Sequence, residues 1–366
     1  MLETRTLREQ RETEDLCVPL LEQEDNPELF VFFRDKHVKF LRGMLGNLSS
    51  GFISLDASRP WMVFWAVNGL ALMGVDTSEL RGEIEATLLK CQHPDGGFGG
   101  GFGQPAHLAC TYASIMALAH TSPAAWSKID RKKLCEWLLT LKQPDGSFKM
   151  CLHGETDPRA TYCALSVASI LKIMDKKLTE NVATYIKTCQ TYEGGFGNQP
   201  LAEAHGGYAF CALATLHLIP DLNIAETIDL PGFISWLVAR QQHVVPGFSG
   251  RINKLVDGCY GHWVGGCWAL VESIDEGITE LWDRDGLQSY NLMCCQADRG
   301  GLRDKPGCGP DSYHTNYVLC GLAACQYAYS NPGKWQPTAQ CTPSVLPLHP
   351  VYGLPLTTAN RADGWT

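Results

Sequence analysis

An aspartate, a cysteine and a histidine in the second half of the chain are residue types that bind zinc. They are Asp257 and Cys259, separated by one glycine, and the more distant His314. Three protein ligands leave the fourth tetrahedral position open, as catalytic zinc sites do. The spacing is weak evidence by itself, because a cysteine and a histidine so far apart in sequence are usually unrelated core residues. The site therefore depends on a fold that brings them together.

Four basic side chains mark a second candidate site. Arg159, His205, Arg251 and Lys254 are each predicted near the N-terminal end of an otherwise apolar helix, where the helix dipole disfavours cations. An anion held between them would explain this placement. Next to a soft metal site, such a group indicates a substrate thiol activated on zinc and an anionic leaving group such as diphosphate.

A sequence repeat supplies elements that could position both groups. A short turn, usually introduced by Gln, recurs about every 50 residues, which is the period of a repeated supersecondary unit. The last apolar residue of each copy is Phe98, Phe148, Phe196, Phe248 and Leu302, and a degenerate copy ends at Phe52. Glycines in these turns allow the positive φ that a chain reversal requires. A phosphate-binding loop is the competing interpretation of GGFGGGFG, but the motif recurs in every unit and lacks a following GK[ST].

Each repeat is predicted to contain two helices. An amphipathic helix precedes the turn, as in DRKKLCEWLLTLKQ, and a helix that is apolar on all sides follows it, as in TYCALSVASIL. Six such pairs could stack as an open solenoid or close into a ring. We favour closure, because the apolar helices are rich in Ala, Ser and Gly and could pack closely around a central axis. The predicted fold is all-α, a six-fold α/α toroid.

The repeat also predicts that the polar residues share one rim of this toroid. Five residues are placed at equivalent positions near the start of the buried helices: Tyr112, Tyr162, Tyr208, Tyr260 and His314. Three residues before them stand Ala109, Arg159, His205, Asp257 and Asp311. Helix capping alone could explain the two aspartates. Capping does not explain the four basic side chains described above.

Composition excludes several classes of function. The chain has 366 residues, 16 cysteines and a formal charge of −9, which argues against a nucleic-acid-binding surface. No apolar run reaches the ~18 residues of a membrane span, and no export signal opens the chain. We therefore expect a cytoplasmic protein whose cysteines are mostly reduced thiols. Residues 1–25 are expected to be a flexible arm, 26–330 the toroid, and 331–366 a tail packing on or near it.

Several sequence blocks resemble one known family. LDASRPW, CQHPDGGFGGG, LKQPDGSF, EAHGGY, GFSGRINKLVDGCY, GGLRDKPG and YHTNY occur in this order and are similar to the protein prenyltransferase β subunits, in particular those of farnesyltransferases. The family fold is an α/α barrel. The resemblance implies transfer of a farnesyl group from farnesyl diphosphate to the cysteine thiol of a C-terminal C-a-a-X sequence, forming a thioether.

The resemblance also implies roles for the residues that match the family's motifs. Asp257, Cys259 and His314 look like the zinc ligands, and Asp304 resembles the carboxylate linked to magnesium. The diphosphate-binding and catalytic group would be His205, Arg251, Lys254 and Tyr260. The isoprenoid wall would be Trp61, Tyr112, Arg159, Tyr162, Tyr208, Cys211 and Trp263. The peptide would contact Ser58, Trp61, Trp65, His107, Ala109 and Tyr313.

Three positions favour farnesyl over the longer geranylgeranyl group. Trp61 has a bulky indole that would limit the cavity to fifteen carbons, where the type I geranylgeranyl enzymes carry a small residue. Those enzymes have Lys at the position of Asp304 and tend to have Phe at the position of Tyr317. Cys110 departs from the Pro that is more common in the family, which leaves the C-a-a-X preference open.

The family resemblance further implies an obligate partner, a helical-repeat α subunit, and protein substrates such as small GTPases. We therefore predict that this chain alone is inactive. The alternatives are a β subunit of geranylgeranyltransferase type I and a terpene cyclase on the same toroid, although the D-x-D-D acid cluster of cyclases does not occur in the sequence. A non-catalytic toroidal scaffold is the third, and it would bind neither stoichiometric zinc nor a lipid diphosphate.

Overall fold

The computed structural model describes residues 4–23, 30–278, 281–330, 334–338, 341 and 343–365. Its α-helices are α1 (Arg5–Leu21), α2 (Arg34–Gly43), α3 (Arg59–Leu72), α4 (Arg81–Leu89), α5 (Leu108–Leu118), α6 (Pro123–Trp126), α7 (Arg131–Leu141), α8 (Pro158–Ile170), α9 (Lys176–Thr179), α10 (Val182–Thr188), α11 (Gly206–His217), α12 (Ile224–Thr227), α13 (Leu230–Val238), α14 (Tyr260–Trp263), α15 (Gly265–Glu272), α16 (Arg284–Ser289), α17 (Ser312–Gln326) and α18 (Leu356–Asp363).

Short elements connect these helices. Segments of 3₁₀-helix cover Ser50–Ser58, Ser78–Leu80 and Glu276–Ile278, and a π-helical turn covers Tyr290–Cys294. Among the described residues, three antiparallel pairs of strands are β1 (Gln92–His93) with β2 (Gly96–Phe98), β3 (Tyr327–Ser330) with β4 (Lys334–Pro337), and β5 (Leu348–His349) with β6 (Leu354–Pro355).

The inner helices form a closed ring. Helix α3 packs against α5, α5 against α8, α8 against α11, and α11 against α14 and α15. The pair α14 and α15 is one inner helix that breaks at Val264, and it packs against α17. Helix α17 then returns to α3. Contact between the first and last inner helices confirms the predicted α/α toroid and excludes the open solenoid.

Inner and outer helices differ in burial as the sequence predicts. Outer helix α7 buries one stripe, formed by Leu134, Trp137, Leu138 and Leu141. Inner helix α8 is buried along nearly its whole length, with Arg159 and Ser169 as the partly exposed exceptions. The outer helices therefore shield the inner ring from solvent, and the N-terminal ends of the inner helices lie together at one mouth of the toroid.

Five of the predicted turns close in a similar way, although the turn before Phe248 is one residue longer. Each bridges back to its last apolar residue, which is fully buried, at Phe98, Phe148, Phe196, Phe248 and Leu302. Gly146 and Gly194 have φ of 101° and 95°, and a Cβ at either position would collide with the backbone of the next outer helix. The glycine turn is thus confirmed. The degenerate copy differs, because Phe52 is only half-buried and lies in a 3₁₀-helix.

The two ends of the chain pack on the ring. The sequence predicts a flexible arm over residues 1–25, whereas residues 5–21 form α1, which buries Cys17 and packs on the π-helical turn. The expected boundaries at 25 and 331 lie outside the described residues. The C-terminal hairpin β5–β6 and α18 contact α3 and α8, at the mouth opposite the inner-helix N-termini.

Among the described residues, no helix is both long and apolar enough to cross a membrane. The sixteen cysteines are free thiols, and most of them are buried.

Candidate active site

Three metal-binding side chains meet at the open mouth of the toroid. One ligand atom from each of Asp257, Cys259 and His314 lies within 4.8 Å of the others. The first two precede α14, while His314 lies in the first turn of α17, so that ring closure brings them together. Nε2 of His314 is 3.3 Å from Oδ1 of Asp257. A carboxylate, a thiol and an imidazole are ligands that zinc prefers, and this donor set fits that ion.

The His314 ring is held in the orientation that metal binding needs. Oδ1 of Asp311 accepts a hydrogen bond from the backbone N–H of His314 at 2.7 Å and so caps α17. Oδ2 of the same carboxylate is 2.7 Å from Nδ1 of the ring. With Nδ1–H donated to Asp311, the Nε2 lone pair faces Asp257 and Cys259.

The three side chains perturb one another's pKa values. Burial, followed by the nearby Asp257 carboxylate, raises the pKa of the Cys259 thiol well above its usual value. Burial alone would lower the pKa of His314, but hydrogen bonds to Asp257 and Asp311 raise it to about 10. A divalent cation placed between these groups would reverse both effects, because it favours the thiolate and the neutral imidazole.

The structural register of the repeats corrects the predicted one. In each repeat the residue nine positions after the turn's last apolar residue caps the inner helix or bonds back to that turn. These residues are His107, Asp157, His205, Asp257 and Asp311. The sequence predicts Ala109 and Arg159 at this position instead. The predicted register is wrong by two residues in these two repeats, because it equates tyrosines that lie at different distances from the starts of their helices.

His205 and Tyr260 form a donor pair on the rim. Nδ1 of His205 accepts a hydrogen bond from the backbone N–H of Gly207 at 3.0 Å, and Nε2 lies 3.1 Å from the Tyr260 hydroxyl. Burial, reinforced by Arg251, lowers the pKa of His205. Because Nδ1 accepts a hydrogen bond, the proton of the neutral imidazole lies on Nε2. Its Nε2–H donates to Tyr260, which leaves the phenol hydrogen free to donate to an anion.

The predicted cations lie on the same rim, and the two arginines are paired with carboxylates. The Arg251 guanidinium is 2.7 Å from Glu203, and both side chains are about half exposed. The Arg159 guanidinium is 2.6 Å from the buried Asp157 and stacks over the Tyr208 ring at 5.5 Å. Lys254 is exposed. An incoming anion would thus compete with Glu203 for Arg251, while Arg159 stays fixed by Asp157.

Asp304 lies beside the metal-binding cluster. Its backbone carbonyl accepts hydrogen bonds from the Gly258 N–H and the Tyr290 hydroxyl. Its carboxylate accepts a hydrogen bond from the ammonium of Lys305 at 2.7 Å. One carboxylate next to a diphosphate site suits magnesium, which usually binds few protein oxygens together with substrate phosphates. In this structure the lysine neutralises that carboxylate.

Aromatic rings line the axis below the rim in a closed circuit, which we call the aromatic belt. Its members, in order around the ring, are Trp61, Tyr112, Tyr162, Phe210, Trp263, Tyr317, Tyr313 and Trp65, with neighbouring ring centroids 4.6–5.8 Å apart. Every inner helix contributes to it. Cys211 is buried in α11 one turn beyond Tyr208. The belt offers an apolar, mostly aromatic wall to a hydrocarbon chain.

The predicted peptide contacts lie on one side of this mouth. Trp65 meets the edge of Tyr313, whose hydroxyl accepts a hydrogen bond from Nε1 of Trp263 at 3.0 Å. Ser58 is half-buried at the start of α3. His107 caps α5 by accepting a hydrogen bond from the N–H of Ala109, and the next residue, Cys110, lies 3.7 Å from the carbonyl of Ala57. The structure therefore brings all six predicted residues to the N-terminal ends of α3, α5 and α17.

Comparison with known proteins agrees with this geometry. A family model described as the prenyltransferase alpha-alpha toroid domain matches residues 32–354. The protein farnesyltransferase subunit beta of Pyricularia oryzae is 44% identical, over 92% of this chain and 71% of its own length. That of Schizosaccharomyces pombe is 43% identical, over 94% of this chain and 92% of its own. The chain belongs to the protein farnesyltransferase β-subunit family.

Two of the more distant relatives are geranylgeranyl transferases. The geranylgeranyl transferase type-1 subunit beta of Arabidopsis thaliana is 30% identical over 90% of each chain. The solved structure titled Candida albicans protein geranylgeranyltransferase-I complexed with GGPP has a TM-score of 0.76 and 22% identity, covering 91% of this chain and 99% of that one. At that identity the likeness shows the shared toroid fold. The sequence relatives place this chain in the farnesyltransferase branch.

Sequence reasoning missed several residues that shape the site. Asp311 is predicted as a helix cap and also orients the His314 ring, while Asp157 and Glu203 hold the two arginines. Phe210 and His262 were missed because no motif marks them. Both lie fourteen residues after a turn's last apolar residue, as do Tyr112 and Tyr162. That constant spacing is a signal the sequence contains.

Proposed function

We propose that this chain is the catalytic β subunit of a protein farnesyltransferase. It would transfer a farnesyl group from farnesyl diphosphate to the cysteine of a C-terminal C-a-a-X sequence and form a thioether. The observation that carries this proposal is the meeting of Asp257, Cys259 and His314 above an aromatic-walled barrel. A thiol substrate and a long apolar substrate can meet only where these two features adjoin.

Asp257, Cys259 and His314 would hold the zinc ion. When bound, zinc lowers the pKa of a coordinated substrate thiol, so that the thiolate is the nucleophile at neutral pH. The chain's own residues prepare this position. Asp311 directs the Nε2 lone pair of His314 into it, and the backbone N–H of Cys259 donates to Oδ1 of Asp257 at 2.8 Å and fixes that carboxylate.

The diphosphate would bind across the rim. Tyr260 and Arg251 would donate hydrogen bonds to its oxygens, with His205 holding the Tyr260 hydroxyl in place. Lys254 would supply a further charge from its exposed position. These donors stabilise the negative charge that develops on the leaving group as its bond to C1 of the farnesyl chain breaks. Asp304 would hold magnesium against the same oxygens after its carboxylate parts from Lys305.

The farnesyl chain would lie against the belt and the residues beside it. Trp61, Tyr112, Tyr162, Tyr208, Cys211 and Trp263 form the wall, and Arg159 sits above it over the Tyr208 ring. The peptide would lie across Trp65 and Tyr313. Its C-terminal residue would face the group formed by Ser58, Trp61, His107 and Ala109.

A helical-repeat α subunit completes the proposed enzyme, whose substrates would be C-a-a-X proteins such as small GTPases in the cytoplasm. The test of the proposal uses this assembled heterodimer. We expect one zinc per heterodimer and transfer of farnesyl to a C-a-a-X peptide. The Cys259→Ala and His314→Ala heterodimers should lose both.

Cys163→Ala is the matched control, because it removes a buried thiol from an inner helix away from the cluster. Its zinc content should equal that of the wild type. Unchanged zinc in both ligand variants would contradict the zinc assignment. Farnesyl transfer by this chain without any partner would contradict the expected dependence on the α subunit.

A further inference from the structure

A turn of the C-terminal hairpin closes the barrel below the aromatic belt. This turn, Val351–Gly353, joins β5 to β6 and reaches the axis from the mouth opposite the metal-binding cluster. Its three successive carbonyls each accept a hydrogen bond from a different inner helix. Tyr162 of α8 donates to Val351 at 2.7 Å, Tyr112 of α5 donates to Tyr352 at 2.8 Å, and Asn68 of α3 donates to Gly353 at 2.9 Å.

The residues that meet this turn form the deepest layer of the apolar cavity. Tyr112, Tyr162, Phe210 and His262 share the position fourteen residues after a turn, and each is at most 5% exposed. The wall residues nearer the rim, such as Tyr208 and Trp263, are half-buried instead. Gly353 has φ of 70°, and a Cβ there would lie 3.6 Å from the His262 ring. The turn is thus in contact with the floor of the belt.

The turn also separates the belt from a second space. A cavity of about 620 Å³ lies on its far side, lined by Val351, Tyr352, Ser169 and His349 among others. The Tyr352 ring stacks on His349 at 4.4 Å, and its hydroxyl is 2.8 Å from that of Ser169. The side chain of Tyr352 therefore holds the turn on the side of this second cavity, whereas its backbone carbonyl accepts a hydrogen bond from Tyr112 on the side of the belt.

We propose that Val351–Gly353 is a specificity-determining element that limits the length of the isoprenoid, acting as a floor in addition to the Trp61 wall. The proposal rests on the proposed function. A chain of fifteen carbons would end above the turn. A chain of twenty carbons would need the turn to move toward the far cavity, which breaks the three hydrogen bonds to buried carbonyls.

Two variants loosen the turn in different ways. Tyr352→Ala removes the outer fastening and leaves every residue of the belt in place. Tyr162→Phe keeps the ring and removes the hydrogen bond to the Val351 carbonyl, together with the contact of 3.1 Å between the Tyr162 and Tyr112 hydroxyls. Each variant removes a contact that holds the turn in its closed position, so that the turn moves more easily toward the far cavity. We therefore expect the preference for fifteen over twenty carbons to fall about tenfold in each variant.

The matched control is Arg361→Ala, which weakens the same C-terminal segment without touching the turn. Arg361 donates to the Ala119 carbonyl at 3.3 Å and stacks on Trp365. Its product ratio should remain that of the wild type. A general loosening of the C-terminal segment would change the ratio in this control too, and that result would overturn the proposal.

The experiment is a competition in one tube. The heterodimer receives equal farnesyl and geranylgeranyl diphosphate with one C-a-a-X peptide, and mass spectrometry measures the ratio of the two thioether products. A ratio does not depend on how much of a variant is folded. Equal ratios in wild type, Tyr352→Ala and Tyr162→Phe would overturn this inference alone. Absence of both products from the wild type would instead refute the proposed function, on which the inference rests.

Discussion

Replacing Asp311 by asparagine separates two roles that its carboxylate combines. Oδ1 caps α17 through the His314 N–H, and Oδ2 accepts from Nδ1 of the same histidine, both at 2.7 Å. Asparagine caps a helix about as well as aspartate. Its side-chain N–H, placed against the ring, favours the tautomer with a lone pair on Nδ1. The proton then moves to Nε2, the atom that must face zinc.

The expected size of the effect follows from these two contacts. Loss of an outer-shell partner typically weakens metal binding 10–100-fold, which is about 1.4–2.7 kcal/mol. Asp311→Asn should therefore lower zinc affinity by this factor and change the stability of the fold by only a few tenths of a kcal/mol. Asp311→Ala should lower zinc affinity equally and cost about 1 kcal/mol more in stability, because the cap is also lost.

Zinc affinity is measured on the assembled heterodimer by competition with a chromophoric chelator, and stability by thermal unfolding of the same samples. Asp157→Asn provides the control, because Asp157 caps α8 in the equivalent repeat position but contacts Arg159 and no metal ligand. Its zinc affinity should match that of the wild type. If Asp311→Asn binds zinc as tightly as the wild type, the carboxylate does not orient His314 and our reading of the site fails.

Three further predictions follow from the same contacts. Arg251→Ala should cost less than about 1 kcal/mol of stability, because its ion pair with Glu203 is half exposed. Single-turnover kinetics should nevertheless show a barrier to transfer raised by about 2–4 kcal/mol, and an unchanged rate would exclude a role on the leaving group. Trp61→Thr should let geranylgeranyl diphosphate compete, since the indole packs on Tyr112 at the belt, and a product ratio equal to that of the wild type would argue against it. Burial lowers the pKa of His120 to about 3, so the unfolded chain alone takes up a proton below pH 6.5. Unfolding should then show stability falling by up to about 1.4 kcal/mol per pH unit towards pH 3, a slope that His120→Gln should reduce.

The toroid was predictable because its signals are local and periodic. Four of the five turns have a glycine with positive φ two residues before the buried side chain, as Gly146 is before Phe148, and a helix without charges must be buried on all sides. The error of two residues at Ala109 and Arg159 came from matching side-chain types. The position of the cap is set instead by a backbone hydrogen bond to the turn, which no residue type reveals.

The charges of the rim could not be predicted in the same way. In the sequence, a basic residue near a helix N-terminus predicts a contact with an anion. In the structure, the carboxylate that pairs with such a residue can come from another part of the chain. Glu203 reaches Arg251 from the preceding repeat. Burial lowers the pKa of His205, an effect that exists only after folding. The pairing of these side chains depends on tertiary contacts, and their role toward an anion stays a prediction.

The sequence by itself determined the repeat, the alternation of buried and half-buried helices, and the choice of Asp257, Cys259 and His314 as candidate metal ligands. These follow from local spacing and side-chain chemistry. Only the tertiary structure decided that α17 closes on α3, which aligns His314 with Cys259, and that Val351–Gly353 lies beneath Tyr112 and Tyr162. Both depend on contacts between residues far apart in the chain. A local pattern has no information about such contacts, because they form only when the ring is complete.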